Sequence, residues 1–155
     1  MADTMVAMMD RPPEDKPDEI WIGDVGPIPV HYEDDPRLAE DCAAWSTARA
    51  GAQALHSADE LLGGIRDADW RVRHETVDRL VARAGDDPQT LPALFTVLQG
   101  DPQWQVRDAV AMAIERFGDD ERVVIALHRA LEDDHDDVRW SARFSLTQIG
   151  APADE

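Results

Sequence analysis

The chain has 155 residues, enough for one domain with a real core but not comfortably for two. Hydrophobic residues make up 43%, and 33 acidic against 15 basic residues leave a formal net charge of -18. Such a surface repels phosphate backbones and attracts basic partners, so direct nucleic-acid binding is disfavoured and a basic protein partner is favoured.

Residues 1–19 carry Pro12, Pro13 and Pro17 among many acids and read as a flexible acidic tail. The Met5–Met9 cluster is too short and too acidic in its surroundings for a secretory signal. No apolar run nears the roughly 18 residues that a membrane helix needs, so a cytoplasmic protein is expected. Over 20–35, Ile20-Trp21-Ile22 and Ile28-Pro29-Val30 flank Gly23-Asp24-Val25-Gly26-Pro27, which suggests an extended segment or short β-hairpin. Pro27 and Pro29 remove ladder donors and confine any strand here to an edge. Asp35-Pro36 is a good helix start. Leu38, Cys42, Trp45, Ala48 and Leu55 then form an approximate helical stripe, so 36–56 reads as an N-terminal capping helix. Cys42 is expected as a small buried residue; being alone, it excludes an internal disulfide and a cysteine-based zinc site. Ser57 with Glu60 is a capping-box pattern that starts the next helix.

Residues 57–152 repeat themselves as 58–86, 87–119 and 120–152. Each unit has a first helix ending in an aliphatic residue, Ile65, Leu98 or Leu131, spaced 33 and 33 apart. An acidic turn follows: Asp67-Ala68-Asp69, Gly100-Asp101-Pro102 or Asp133-Asp134-His135-Asp136-Asp137. Then come Val72-Arg73, Val106-Arg107 or Val138-Arg139. Four past the valine stand Thr76, Val110 and Ala142; eight past it, Leu80, Ile114 and Leu146. Eleven past it stand Arg83, Phe117 and Ile149, the arginine fitting poorly. The second helix closes near Gly85, Gly118 or Gly150. These positions share one helix face, which only the unit's own first helix and the neighbouring units can cover. Two helices per 32–34 residues, three times over, predict an all-α fold: a short right-handed α-solenoid in which no unit folds alone.

The Val106–Ile114 and Val138–Leu146 stretches, with Ile149-Gly150, resemble HEAT-like repeats, in particular the short bacterial form also seen in phycobilisome lyases. Val72–Gly85 resembles them more weakly, and the first 57 residues not at all. The resemblance implies a structural role for the recurrent acids and arginines: Asp69 and Asp137 would meet Arg73, Arg107 and Arg139 of the same or adjacent unit. Arginine suits this because its planar fork takes a carboxylate bidentately.

No catalytic constellation stands out. HEAT-like deoxyhypusine hydroxylases hold two irons with a His-Glu pair at this point in several repeats. Here His74-Glu75 is answered by Asp108-Ala109 and Trp140-Ser141, so no metal and no cofactor are expected. The acidic run around His135 lacks the ligand spacing and glycine of an EF-hand and reads as a solvated turn. Ser141 and Ser145 have no base at a predictable distance.

Positions two and six past the valine lie off the buried stripe: His74 and Asp78, Asp108 and Met112, Trp140 and Phe144. They predict a mainly acidic groove with two large aromatics one turn apart in the third unit, the kind of anchor that binding surfaces use. Trp70 and Trp104 share one slot and should pack turn onto turn. The expected function is a non-enzymatic protein-binding module, an inhibitor or immunity protein or an assembly adaptor. Two alternatives remain open: a lyase-like, ligand-handling enzyme, and a structural subunit or oligomer mated through an open solenoid end.

Overall fold

The computed structural model describes residues 19–21, 27–29, 36–84 and 86–152. The flexible tail expected over 1–19, the hairpin's turn and Gly85 therefore lie, almost wholly, outside the described residues. The chain divides into Met1–Ala43 and Ala44–Glu155. In the first, β1 (Glu19–Trp21) pairs antiparallel with β2 (Pro27–Pro29), Ile20 opposite Ile28. Successive backbone N–H positions point to opposite sides of a strand, so both prolines fall on one side and Ile28 on the other.

Helix α1 (Pro36–Gln53) starts at the proline and runs across the division. The second division then holds three helical hairpins: α2 (Ala58–Gly64) with α3 (Trp70–Ala84), α4 (Thr90–Gly100) with α5 (Trp104–Ala113), and α6 (Glu121–Ala130) with α7 (Asp136–Gln148). Each first helix packs on its own second helix, and the second helices pack on one another, α3 on α5 and α5 on α7. This is the short helical solenoid that the repeats predict.

The hydrophobic pattern explains the stacking. The fully buried side chains include Leu61, Ile65, Leu80, Leu94, Val106, Val110, Ile114, Leu127, Val138 and Leu146, drawn from all three hairpins into one cluster. Thr76, the polar member of its slot, is fully buried because its hydroxyl donates to the Val72 carbonyl at 2.7 Å. Ser57 caps α2 as expected: its hydroxyl accepts from the Glu60 amide, and the Glu60 carboxylate accepts from the Ser57 and His56 amides. These amide hydrogen bonds hold the Glu60 carboxyl below its ordinary range.

The closing glycines do not do one job. Gly150 has φ of 72° and ends α7 with the Ala151 amide reaching the Leu146 carbonyl at 2.9 Å, a left-handed cap that glycine makes cheaply. Gly118 stays right-handed after a 3-10 turn (Ile114–Phe117), and a Cβ there would meet Ile149 Cγ2 at 2.5 Å. Close approach, not dihedral freedom, sets that glycine. Cys42 is exposed rather than buried, because the buried stripe of α1 begins only at half-buried Trp45 and continues through Ala48 and Ala52.

Candidate functional site

The turn edge carries a ladder of charges. Arg73 and Arg107 each spread their fork between two turns. Arg73 donates from Nε and Nη2 to the Asp101 carboxylate at 2.7 and 2.8 Å, and from Nη1 to the Asp67 carbonyl at 2.9 Å. Arg107 repeats this one unit on, with Asp133 at 2.8 and 2.8 Å and the Asp101 carbonyl at 2.8 Å. Arg139 donates from Nη1 to the Asp133 carbonyl at 2.6 Å and pairs with exposed Asp136 of its own helix. The Arg73 and Arg107 rungs each join one unit to the next, whereas Arg139 stays within the last unit.

The acids of the rungs are therefore Asp101 and Asp133, not Asp69 and Asp137. Geometry gives the reason. Asp67, Asp101 and Asp133 occupy one slot, each accepting from the amide two residues on, of Asp69, Gln103 and His135. That local bond aims the carboxylate toward the preceding unit's arginine. Asp69 lies two residues further along and instead accepts from the Arg71 amide, in the first turn of α3. Asp137 lies in the first turn of α7 near His135. Hydrogen bonding to Asp101 raises the Arg73 pKa against the opposing effect of burial. Burial raises the Asp133 carboxyl, but the Arg107 fork and the His135 amide outweigh it and hold it below the ordinary range.

The six residues expected on the outer face of the second helices meet different fates. His74 is half-buried, its ring 5.2 Å from that of Trp45 on α1. Asp108 is half-buried and accepts from the Ser141 hydroxyl of α7. Met112 is half-buried, and Asp78 is exposed. Trp140 is 60% exposed, and Phe144 stacks on it with centroids 5.3 Å apart and planes 13° from parallel. The face is thus less open than a row of free acids. Adjacent second helices lie so close that the residue three past one valine reaches the residue two past the previous one, as Ser141 reaches Asp108. The same side of α3 meets α1 through the Glu75–Arg49 ion pair at 3.3 Å, so the second half of α1 lies where a preceding second helix would. Ser145 donates to the Ala111 carbonyl, so both serines of α7 serve helix contacts.

Trp70 and Trp104 share a slot but not a partner. Trp70 meets Trp45 edge-on at 5.3 Å, whereas Trp104 stacks on His135 of the next turn at 3.9 Å and 4°. His135 also caps α7, its Nδ1 accepting from the Asp137 amide at 3.3 Å. Among the described residues, no three His, Cys, Asp or Glu side chains gather as metal ligands, and no helix is long and apolar enough to cross a membrane.

Stacked helical hairpins joined by an arginine–aspartate ladder define a repeat protein of scaffold type. The family model for HEAT repeats matches residues 58–147, more than half of the 155, and the chain belongs to the HEAT-repeat family, whose members are generally protein-interaction modules. The match is to HEAT repeats at large and does not single out the phycobilisome-lyase type. No curated protein matches the chain.

Proposed function

We propose that the chain is a non-enzymatic protein-binding module whose second-helix face engages a basic protein, as an inhibitor of the immunity-protein kind or as an assembly adaptor. The observation that carries this reading is Trp140, a large aromatic 60% exposed and stacked on Phe144. It follows the acidic first turn of α7, Asp136 and Asp137. Pre-ordered aromatics with low conformational freedom make binding anchors, and nearby carboxylates favour a cationic neighbour on the partner. The net charge of -18 supplies a long-range field that speeds encounter with a basic protein.

Affinity purification with mass spectrometry identifies the partner, and two measurements then test the surface. Trp140→Ala with Phe144→Ala should weaken the complex at least about tenfold, which corresponds to about 1.4 kcal/mol. The wild-type affinity should fall steeply as salt rises from about 50 to about 300 mM. An unchanged affinity in the double variant removes the aromatic anchor; a salt-insensitive complex removes the electrostatic part.

A further inference from the structure

Helices α2 and α6 are capped by oxygens, from Ser57 and Asp120; α7 is capped by a ring nitrogen. His135 holds the N-cap position, and its Nδ1 accepts from the Asp137 amide at 3.3 Å. A hydroxyl or carboxylate accepts throughout the physiological pH range, whereas an imidazole nitrogen accepts only while it carries no proton. Histidine is the side chain whose charge changes between about pH 5 and 8. The cap of α7 is therefore conditional.

The surroundings supply what a protonated ring needs. The ring lies flat on Trp104 of α5, centroids 3.9 Å apart and planes 4° from parallel, a stack that also accommodates a cation. The His135 amide donates to Asp133 at 2.9 Å, so backbone and ring are both held in place. Asp133 and Asp134 of the turn share the Arg107 fork from α5, and Asp136 pairs with Arg139 of α7. Glu132 stands exposed ahead of the turn. Asp137 makes no pair with an arginine among the described residues. Its Oδ2 stands 3.8 Å from Nδ1, the atom that accepts from its own amide.

We propose that His135 is a proton-operated switch at the start of α7. Neutral, Nδ1 caps the helix by accepting from the Asp137 amide. Protonated, Nδ1 becomes a donor, releases that amide to water and closes on the Asp137 carboxylate as an ion pair. The two states exclude each other because both use the one Nδ1 lone pair. One contact is traded for another, so the mark of the proton is local rather than a change in overall stability. The macrodipole opposes a cation at a helix N-terminus, and the acidic first turn, Asp136 and Asp137, offsets it. Trp140 stands three residues past Asp137, on the same face of α7. Acidification thus withdraws from a partner the turn's one aspartate that no arginine holds. This last consequence rests on α7 being the partner-binding helix; the switch itself does not.

Two-dimensional NMR of the whole chain, titrated from about pH 8 to about pH 5, tests the switch. The Asp137 amide resonance should move with the midpoint of the His135 ring protons. Its protection from hydrogen exchange, corrected for the intrinsic pH dependence, should fall about fivefold as the cap is lost. In His135→Asn, which keeps a capping oxygen, the amide should stay still across that range. In Asp137→Asn it should still follow the ring, because the lone pair is lost with or without the carboxylate. A wild-type amide that ignores the ring, or one that moves alike in His135→Asn, overturns the switch. An amide that stops moving in Asp137→Asn answers to its own carboxylate and overturns it too. Binding is read separately: the partner found by affinity purification should bind about threefold more weakly at about pH 5.5 than at about pH 7.5, a loss absent in His135→Asn. Equal weakening in that variant overturns the link to binding alone. Unchanged affinity in Trp140→Ala removes the binding surface and leaves the NMR result to decide the switch.

Discussion

Removing the Asp101 carboxylate is the sharpest test of how the units are joined. Asp101 and Arg73 are each 8% exposed, and the carboxylate receives Nε and Nη2 of Arg73 together with the Gln103 amide at 2.9 Å. In Asp101→Ala the guanidinium keeps its bonds to the Asp67 and Ala68 carbonyls but loses its counter-charge in a nearly dry site. Breaking one side of a buried pair costs about 3–5 kcal/mol, most of it the penalty of the stranded ion. A loss near the lower figure is expected, because two carbonyls still solvate Arg73. Urea unfolding followed by circular dichroism measures it. Asp69→Ala, which removes the acceptor of the Arg71 amide and a loose 3.9 Å contact to the Arg71 guanidinium, should cost about 1 kcal/mol. The double variant Asp101→Leu with Arg73→Met should recover much of the loss, since it buries no charge. Hydrogen exchange should show α2 and α3 opening before α5 and α7 in Asp101→Ala, because repeats couple only to neighbours. A loss below about 1 kcal/mol, or one no larger than that of Asp69→Ala, would refute the claim that the rung, rather than the apolar seam, carries the polar coupling.

The second rung predicts an acid response. The Asp133 carboxyl is held below its ordinary value in the folded chain, so its contribution is fully present above the unfolded carboxylate range near pH 4 and is lost as pH falls through the folded value. Urea midpoints at about pH 7, 5 and 3 should drop mainly in the last interval, and Asp133→Asn should flatten that drop; an identical drop in the variant would place the acid sensitivity elsewhere. Two adjacent glycines of α2 should respond with opposite sign. A Cβ on Gly64 would overlap Leu55 Cδ1 and crowd Thr76 Oγ1, whereas one on Gly63 meets nothing within 4 Å. Thermal melts should show Gly64→Ala losing about 1–3 kcal/mol and Gly63→Ala gaining up to about 1 kcal/mol; a gain in both would mean that α2 can move away from α3.

The core was legible because it is periodic. Val106, Val110, Ile114 and Val138, Ala142, Leu146 announce one face of a helix, and the structure buries all six. The rungs were legible in kind but not in partner. Which aspartate meets which arginine depends on a side-chain-to-amide bond in the turn, and the acids in these turns look alike until the bond is seen. Spacing held a partial clue: Asp67, Asp101 and Asp133 recur near repeat distance, but Asp134 stands at that distance from Asp101 as well. The half-burial of His74 and Asp108 could not be read from periodicity. It depends on how near the next second helix stands, a tertiary distance set by small residues such as Ala111.

The ladder also has a direction. Arg73 and Arg107 each reach forward to the acid of the following turn and hold the carbonyl of their own. A unit therefore carries both halves of a coupling: an aspartate that satisfies the arginine before it and an arginine that waits for the aspartate after it. Duplicating or excising a whole unit between equivalent positions leaves every fork filled. Cutting between an arginine and the aspartate that follows it, as between Arg73 and Asp101, would strand a buried cation. The chain can be lengthened or shortened in steps of one hairpin, and the grammar of its turns, more than its interchangeable leucines and valines, defines where one step ends and the next begins.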